Sequence, residues 1–181
     1  MKEKKLSVSS LCLIGIFTAI IAVSAQISIP MPYGVPMTLQ TFAIPFVGIV
    51  LGAKKGTLAT SIYVLLGALG IPVFAGFTGG LGIVFGPTGG FILSFPIMAL
   101  AAGIGAGKNN KMWIAVGIVA GTIINYLCGM FMYSIVMSSD LKTAFAVCIA
   151  PFVPTAVIKA ALAGVSGVKI KSILEKAKLG A

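Results

Sequence analysis

The chain has 181 residues, of which 59% are hydrophobic and only 9% are charged, whereas soluble domains carry about 25% charged residues. Its net charge of +10 comes from 13 lysines set against Glu3, Asp140 and Glu175. This composition excludes a soluble globular domain. It also argues against nucleic-acid binding, because the lysines form short clusters between apolar runs and no stacking aromatic residues accompany them. We therefore predict an integral membrane protein with a single membrane domain over residues 1–181.

The apolar runs predict six transmembrane helices, separated by basic turns or by segments rich in proline and glycine. The fold class is accordingly an all-α integral membrane protein. The predicted spans cover residues 6–26, 38–52, 57–70, 91–106, 112–137 and 152–168.

The first predicted span carries small residues at Gly15, Ala19 and Ala22. Side chains three and four residues apart lie on one helix face, and small ones let another helix approach closely. That second helix belongs either to the same bundle or to a docking partner.

Two irregular segments interrupt the apolar pattern. Residues 27–37 contain three prolines and a glycine, which exclude a continuous helix and predict an extended loop. Residues 71–90 are rich in glycine. Irregular backbone at membrane depth is tolerated only where protein or a cavity surrounds it, so this segment is predicted to be a re-entrant or cavity-lining loop.

The lysines orient the chain, because cytoplasmic segments carry an excess of positive charge. With both termini in the cytoplasm, only Lys142 falls in an outer loop and only Lys159 within a span. The other lysines then lie inside, at positions 2, 4, 5, 54, 55, 108, 111, 169, 171, 176 and 178. Both irregular segments are thereby outside, where we expect them to cap a ligand.

Lys159 is the one charged residue inside a predicted span. A lysine in hydrocarbon costs roughly 2.5–3.5 kcal/mol on insertion scales, so it normally faces a cavity or an anion. The alternative is snorkelling, in which the ammonium reaches the lipid headgroups. Lys159 lies about 8 Å below Pro154 along a helix, which suggests a pocket beneath the outer loops.

A polar face on the fifth span supports an internal cavity, because polar side chains of membrane helices point inward. Its members recur three and four residues apart: Thr122, Asn125, Tyr126, Gly129 and Tyr133. Aromatic residues that could form the apolar walls are Phe74, Phe77, Tyr33 and Tyr126.

The residues available in the spans limit the chemistry. The chain has no histidine, and no acidic residue lies within a span, so we expect no metal site, cofactor or enzymatic activity within the bilayer. The pattern favours a membrane-embedded binder of a small organic anion that depends on other chains for energy. A small-anion channel or a standalone transporter is the remote alternative.

Four stretches, in order along the chain, resemble the BioY family, the biotin-binding S components of energy-coupling factor (ECF) vitamin transporters. They are VPMTLQ at 35–40, LGIPVFAG at 69–76, GPTGGF at 86–91, and PFVP followed by IKA within 151–160. The resemblance implies a six-helix protein that captures biotin from outside. It also implies a partner module of the transmembrane coupling protein EcfT and two cytosolic ATPases, with ATP hydrolysis confined to those ATPases.

The resemblance also points to particular residues. The family's glutamine corresponds to Gln40, its site lysine to Lys159, and its small-residue docking pair to Gly15 and Ala19. The expected ligand-binding residues are Lys159, Gln40, Thr38, Thr155, Asn125, Tyr126, Phe74, Thr78 and Thr88.

One position departs from the family pattern. Ala156 stands where the family has an aspartate that helps to hold the ureido ring of biotin. Either a neighbour such as Thr155, Gln40 or Asn125 supplies the missing acceptor, or the ligand is a related carboxylate with an apolar head, such as lipoate.

Overall fold

The computed structural model describes residues 7–108, 110–177 and 179. Leu6, the predicted start of the first span, and the lysines at 2, 4, 5 and 178 lie outside the described residues. The elements in chain order are α1 Val8–Gln26, β1 Ser28–Ile29, a 3₁₀ turn Pro32–Gly34, β2 Met37–Thr38, α2 Gln40–Ala68, α3 Leu81–Val84, α4 Gly89–Gly107, α5 Lys111–Val136, α6 Leu141–Cys148 and α7 Val153–Lys176.

The helix α2 is a hairpin rather than a straight rod. Gly52, in its middle, adopts φ 77° and ψ 171°, outside helical geometry. Gln40 Nε2 donates a hydrogen bond to Tyr63 Oη at 2.7 Å, although a straight helix would separate these residues by about 35 Å. The chain therefore reverses at Gly52, and two antiparallel arms result, residues 40–51 and 53–68.

This hairpin divides α2 into two helical segments. Within the described residues five helices are long and apolar enough to cross a membrane: α1, α2, α4, α5 and α7. The prediction of a multi-pass helical membrane protein is confirmed, and the two arms of α2 bring the number of long helical segments in the described chain to six. The predicted break between the second and third spans, at residues 53–56, is wrong in position, since Gly52 alone makes the reversal and residues 53–56 are helical.

The outer segments are more ordered than predicted. Residues 27–37 were expected to be an extended loop, but β1 and β2 pair antiparallel, with Ser28 opposite Thr38. The second segment contains a bridge between Phe74 and Thr78 and then the single turn α3. The arms of α2 are about 18 Å and 24 Å long, shorter than a bilayer core, and the two segments are joined to the same end of this hairpin, next to Gln40 and Ala68.

The core is formed by α1, the two arms of α2 and α4, whose apolar side chains pack together. The helix α7 is the least buried of the spanning helices, and it continues to Lys176, eight residues beyond its predicted span. The short helix α6 is capped at its N-terminus by Asp140, whose carboxylate accepts the N–H of Thr143 at 3.3 Å. Hydrogen bonds from Thr143 hold the pKa of Asp140 below its usual value.

The hairpin predicts a steric limit at Gly56. A Cβ atom there would come 2.8 Å from the Cα of Gly48 on the other arm. Gly56→Val should therefore destabilise the protein by about 1–3 kcal/mol through overpacking, measured as a lower apparent melting temperature in detergent. Gly15→Val is the matched control, because nothing lies within 4 Å of a Cβ at Gly15. Equal melting temperatures for the two variants would contradict the close contact between the arms.

Candidate functional site

A cavity of about 250 Å³ lies among the outer ends of α2, α4, α5 and α7. Its roof comes from the β1–β2 segment and the loop before α4, and its walls are mainly apolar. The lining residues are Gly34, Val35, Pro36, Thr38, Gln40, Thr41, Ala75, Thr78, Ile83, Thr88, Phe91, Ile92, Phe95, Asn125, Tyr126, Phe152 and Lys159.

The structure brings most of the sequence-predicted residues to this cavity. Phe74 and Thr155, together with the exposed Tyr33 and Phe77, do not line it. Seven of the nine predicted ligand-binding residues do: Thr38, Gln40, Thr78, Thr88, Asn125, Tyr126 and Lys159.

The ammonium group of Lys159 turns into the bundle rather than towards the headgroups. Its Nζ donates to the carbonyl oxygen of Thr38 at 2.7 Å and to Thr41 Oγ1 at 3.3 Å. An ammonium has three donors, so one N–H is left over. Within the described residues the only ion pair is Lys171–Glu175, at 3.9 Å. The charge of Lys159 therefore lines the cavity with no carboxylate of the described chain to neutralise it.

Gln40 connects the start of α2, through Tyr63, to the loop before α4. Its Oε1 accepts a hydrogen bond from Thr38 Oγ1 at 3.1 Å, and its Nε2 donates to Tyr63 Oη at 2.7 Å. Tyr63 then donates to the carbonyl of Val73 at 3.1 Å. The amide of Gln40 is therefore engaged at both ends within the protein, and it holds the loop before α4 against α2.

Phe74 anchors that loop from below instead of contacting the cavity. Its side chain is only 2% exposed, and its ring packs edge-on against Tyr63 with centroids 5.6 Å apart. The ring also covers Gly67, where any side chain would collide with it. Phe74 therefore fixes the loop that carries Ala75 and Thr78 to the cavity.

Gln26, at the end of α1, makes a second set of hydrogen bonds to the loop before α4, which the sequence analysis missed. Its Nε2 donates to the carbonyls of Val73 and Phe74 at 3.3 and 3.1 Å, and its Oε1 accepts the N–H of Phe77 at 2.9 Å. One signal was present, namely a long polar side chain at the end of an apolar helix. Nothing in its spacing indicated a contact with a loop some 50 residues away.

Asn125 is completely buried on α5. Its Nδ2 donates to the carbonyl of Phe91 at 2.9 Å and to Ser94 Oγ at 2.8 Å, both on α4. Its Oδ1 is buried and has no hydrogen-bond partner in the described part of the chain. Such orphaned buried acceptors are rare in native proteins and call for an explanation.

The start of α7 lies behind the cavity wall. Thr155 Oγ1 donates to the carbonyl of Phe152 at 2.9 Å. Ala156 packs against the buried cluster that contains Val35 and Tyr126, both of which line the cavity. Neither Thr155 nor Ala156 lines the cavity itself.

The small residues of α1 are divided between two faces. Gly15 and Ala19 are exposed, whereas Ala22 is half-buried against the core. The face that contains Gly15 and Ala19 therefore does not pack within the described part of the chain.

These features define a helical membrane protein with a capped, largely apolar cavity whose lining includes one charged side chain, that of Lys159. The model of the BioY family matches residues 1–176. A probable biotin transporter BioY of Pyrococcus horikoshii is 42% identical over 164 residues, which cover 90% of this chain and 93% of that protein. The biotin transporter BioY of Thermotoga maritima is 42% identical over 160 residues, which cover 88% and 94%.

A solved structure agrees with the fold. The crystal structure of an S-component for biotin from an ECF-type ABC transporter superposes with a TM-score of 0.86 at 25% identity, and 95% of each chain is covered. The chain belongs to the BioY family. This is a family of multi-pass plasma-membrane transport components and not an enzyme family. Within the described residues no cluster of three potential metal ligands occurs.

The link through Tyr63 can be tested by removing one oxygen. Tyr63→Phe leaves the buried Nε2 of Gln40 without its acceptor, so we expect a loss of about 1–3 kcal/mol in stability and a lower melting temperature in detergent. Tyr33→Phe is the control, since the Tyr33 side chain is largely exposed. A Tyr63→Phe protein with the same melting temperature as the parent would show that the hydrogen bond between Gln40 and Tyr63 is not needed for stability.

Proposed function

We propose that this chain is the substrate-binding S component of an ECF-type ABC importer, and that it captures biotin from outside the cell. Two kinds of observation support this proposal: the named relatives and the solved biotin S-component, and a capped cavity suited to a small organic anion. The observation that carries it is the ammonium of Lys159, which lines the cavity without a carboxylate partner in the described chain. In this role Lys159 pairs with the ligand's carboxylate.

A related carboxylate vitamin such as lipoate is the second candidate. It is favoured by Ala156, which supplies no acceptor where the family carries an aspartate. Both candidates share the pairing of Lys159 with a carboxylate, and they differ in the head group that occupies the other end of the cavity.

Delivery of the ligand would require a partner module. We propose that the exposed small-residue face of α1, Gly15 and Ala19, docks on EcfT, which in turn carries two cytosolic ATPases. Small residues let the backbones of two helices approach closely, and no atom lies within 4 Å of a Cβ at Gly15. The same helix links this face to the cavity, because Gln26, at the end of α1, bonds to residues of the loop before α4.

Replacing the charged side chain of Lys159 tests the ligand-binding site. Lys159→Met keeps an unbranched side chain one atom shorter but removes the charge, so we expect biotin affinity to fall by about 2–5 kcal/mol, or roughly 30- to 5,000-fold. Binding is measured by titration of labelled biotin into protein in nanodiscs. Lys142→Met is the control, since Lys142 lies on the exposed helix α6. Unchanged affinity in the Lys159→Met protein would overturn the proposed site.

The docking face is tested by replacing its small residues with leucine. Gly15→Leu combined with Ala19→Leu should leave biotin binding by the isolated chain unchanged, because both positions are exposed and remote from the cavity lining. Co-purification with the coupling protein and ATP-driven uptake in proteoliposomes should be lost. Ala120→Leu, at an exposed alanine of α5, is the control for added bulk. Full uptake by the double variant would place the docking face elsewhere, and uptake without any partner would favour a standalone transporter.

A further inference from the structure

Several side chains that line the cavity could accept a hydrogen bond from the head group of a ligand. With Ala156 in place of the family's aspartate, three neighbours were candidates for that role: Thr155, Gln40 and Asn125. The structure separates them by their hydrogen bonds.

Two of the three are weaker candidates. Thr155 does not line the cavity, and its hydroxyl donates to the carbonyl of Phe152. The Oε1 of Gln40 accepts a hydrogen bond from Thr38, and its Nε2 donates to Tyr63. Neither side chain therefore has a buried oxygen without any hydrogen-bond partner.

Asn125 differs from both, because it lines the cavity with its oxygen unpartnered in the described part of the chain. The orientation of its amide follows from chemistry. The carbonyl of Phe91 can only accept, so the Asn125 atom 2.9 Å away must be the nitrogen. The same nitrogen also donates a hydrogen bond to Ser94 Oγ. Two bonds to α4 thus fix the side chain and leave Oδ1 as an oriented, desolvated acceptor.

Lys159 and Asn125 line the same cavity but are held by different elements. Lys159 is tied to β2 and the start of α2, whereas Asn125 is tied to α4. The lining also includes Phe91 and Tyr126, whose rings pack edge-on at 6.3 Å. A cavity with an ammonium group, a buried acceptor and aromatic walls suits a ligand that has a carboxylate, an apolar body and an N–H donor.

We propose that Asn125 Oδ1 accepts a hydrogen bond from a ureido N–H of the ligand and is thereby a specificity-determining residue. The proposal rests on the proposed function and deepens it. It selects a carboxylate whose head is a cyclic urea, as in biotin, over one whose head has no N–H donor, as in lipoate. A site that holds a buried acceptor discriminates against a ligand that cannot donate, because the acceptor then stays unpaired.

The test compares two ligands on two proteins. Labelled biotin and lipoate are titrated into the full chain in nanodiscs, as the parent and as Asn125→Leu, which has a similar shape but no acceptor. We expect the parent to prefer biotin, and Asn125→Leu to lose roughly 5- to 150-fold in biotin affinity. Lipoate affinity should be unchanged or higher, so that the preference for biotin collapses.

A control variant separates this role from general damage. Thr122→Val removes a hydroxyl one turn away on α5, which donates to the carbonyl of Ile118 on the same helix. This variant should keep the preference for biotin. If Asn125→Leu does not fold, Asn125→Thr replaces it, because threonine hydroxyls in this chain bond back to the carbonyl four residues earlier.

The outcomes are distinct. If the parent binds biotin and the Asn125 variants bind it equally well, or lose biotin and lipoate affinity in the same proportion, the role of Asn125 is overturned while the proposed function stands. If the parent binds lipoate and no biotin, both are overturned. Selective loss of biotin supports both.

Discussion

The hydrogen bond from Lys159 Nζ to the carbonyl of Thr38, 2.7 Å long, joins the last helix to the segment that begins α2. It holds a positive charge among apolar walls, where an unpaired cation is costly. Backbone and hydroxyl oxygens satisfy two of its donors, but they bring no negative charge. In our account the ligand's carboxylate supplies that charge, so binding neutralises an ammonium group that has no carboxylate partner in the described chain.

The rest of the structure makes room for this arrangement. The arms of α2 are short, and their reversal at Gly52 leaves the outer part of the bundle to the β1–β2 segment and to the loop before α4. Gln40 and Tyr63 tie this loop to α2, and Gln26 ties it to α1. The cap over the cavity therefore depends on two helices at once, and one of them, α1, carries the exposed small residues that we assign to docking.

The positions of the spans and of Lys159 could be predicted because both rest on single-residue costs in the bilayer. Charged residues are excluded from hydrocarbon, so the lysines mark the turns and the one lysine within a span stands out. The details of the cap could not be predicted in this way. Tyr63 and Phe74 appear in the sequence only as aromatic residues in apolar surroundings, and the hydrogen bond between Gln40 and Tyr63 depends on the reversal at Gly52. The unpartnered oxygen of Asn125 likewise becomes visible only when the bonds of its nitrogen to α4 are known.

The most direct measurement is native mass spectrometry of the full chain purified in detergent from cells grown with both biotin and lipoate. The account predicts a bound species with the mass of biotin, present in the parent and absent from Lys159→Met. A bound species with the mass of lipoate, or biotin retained in full by Lys159→Met, would contradict it.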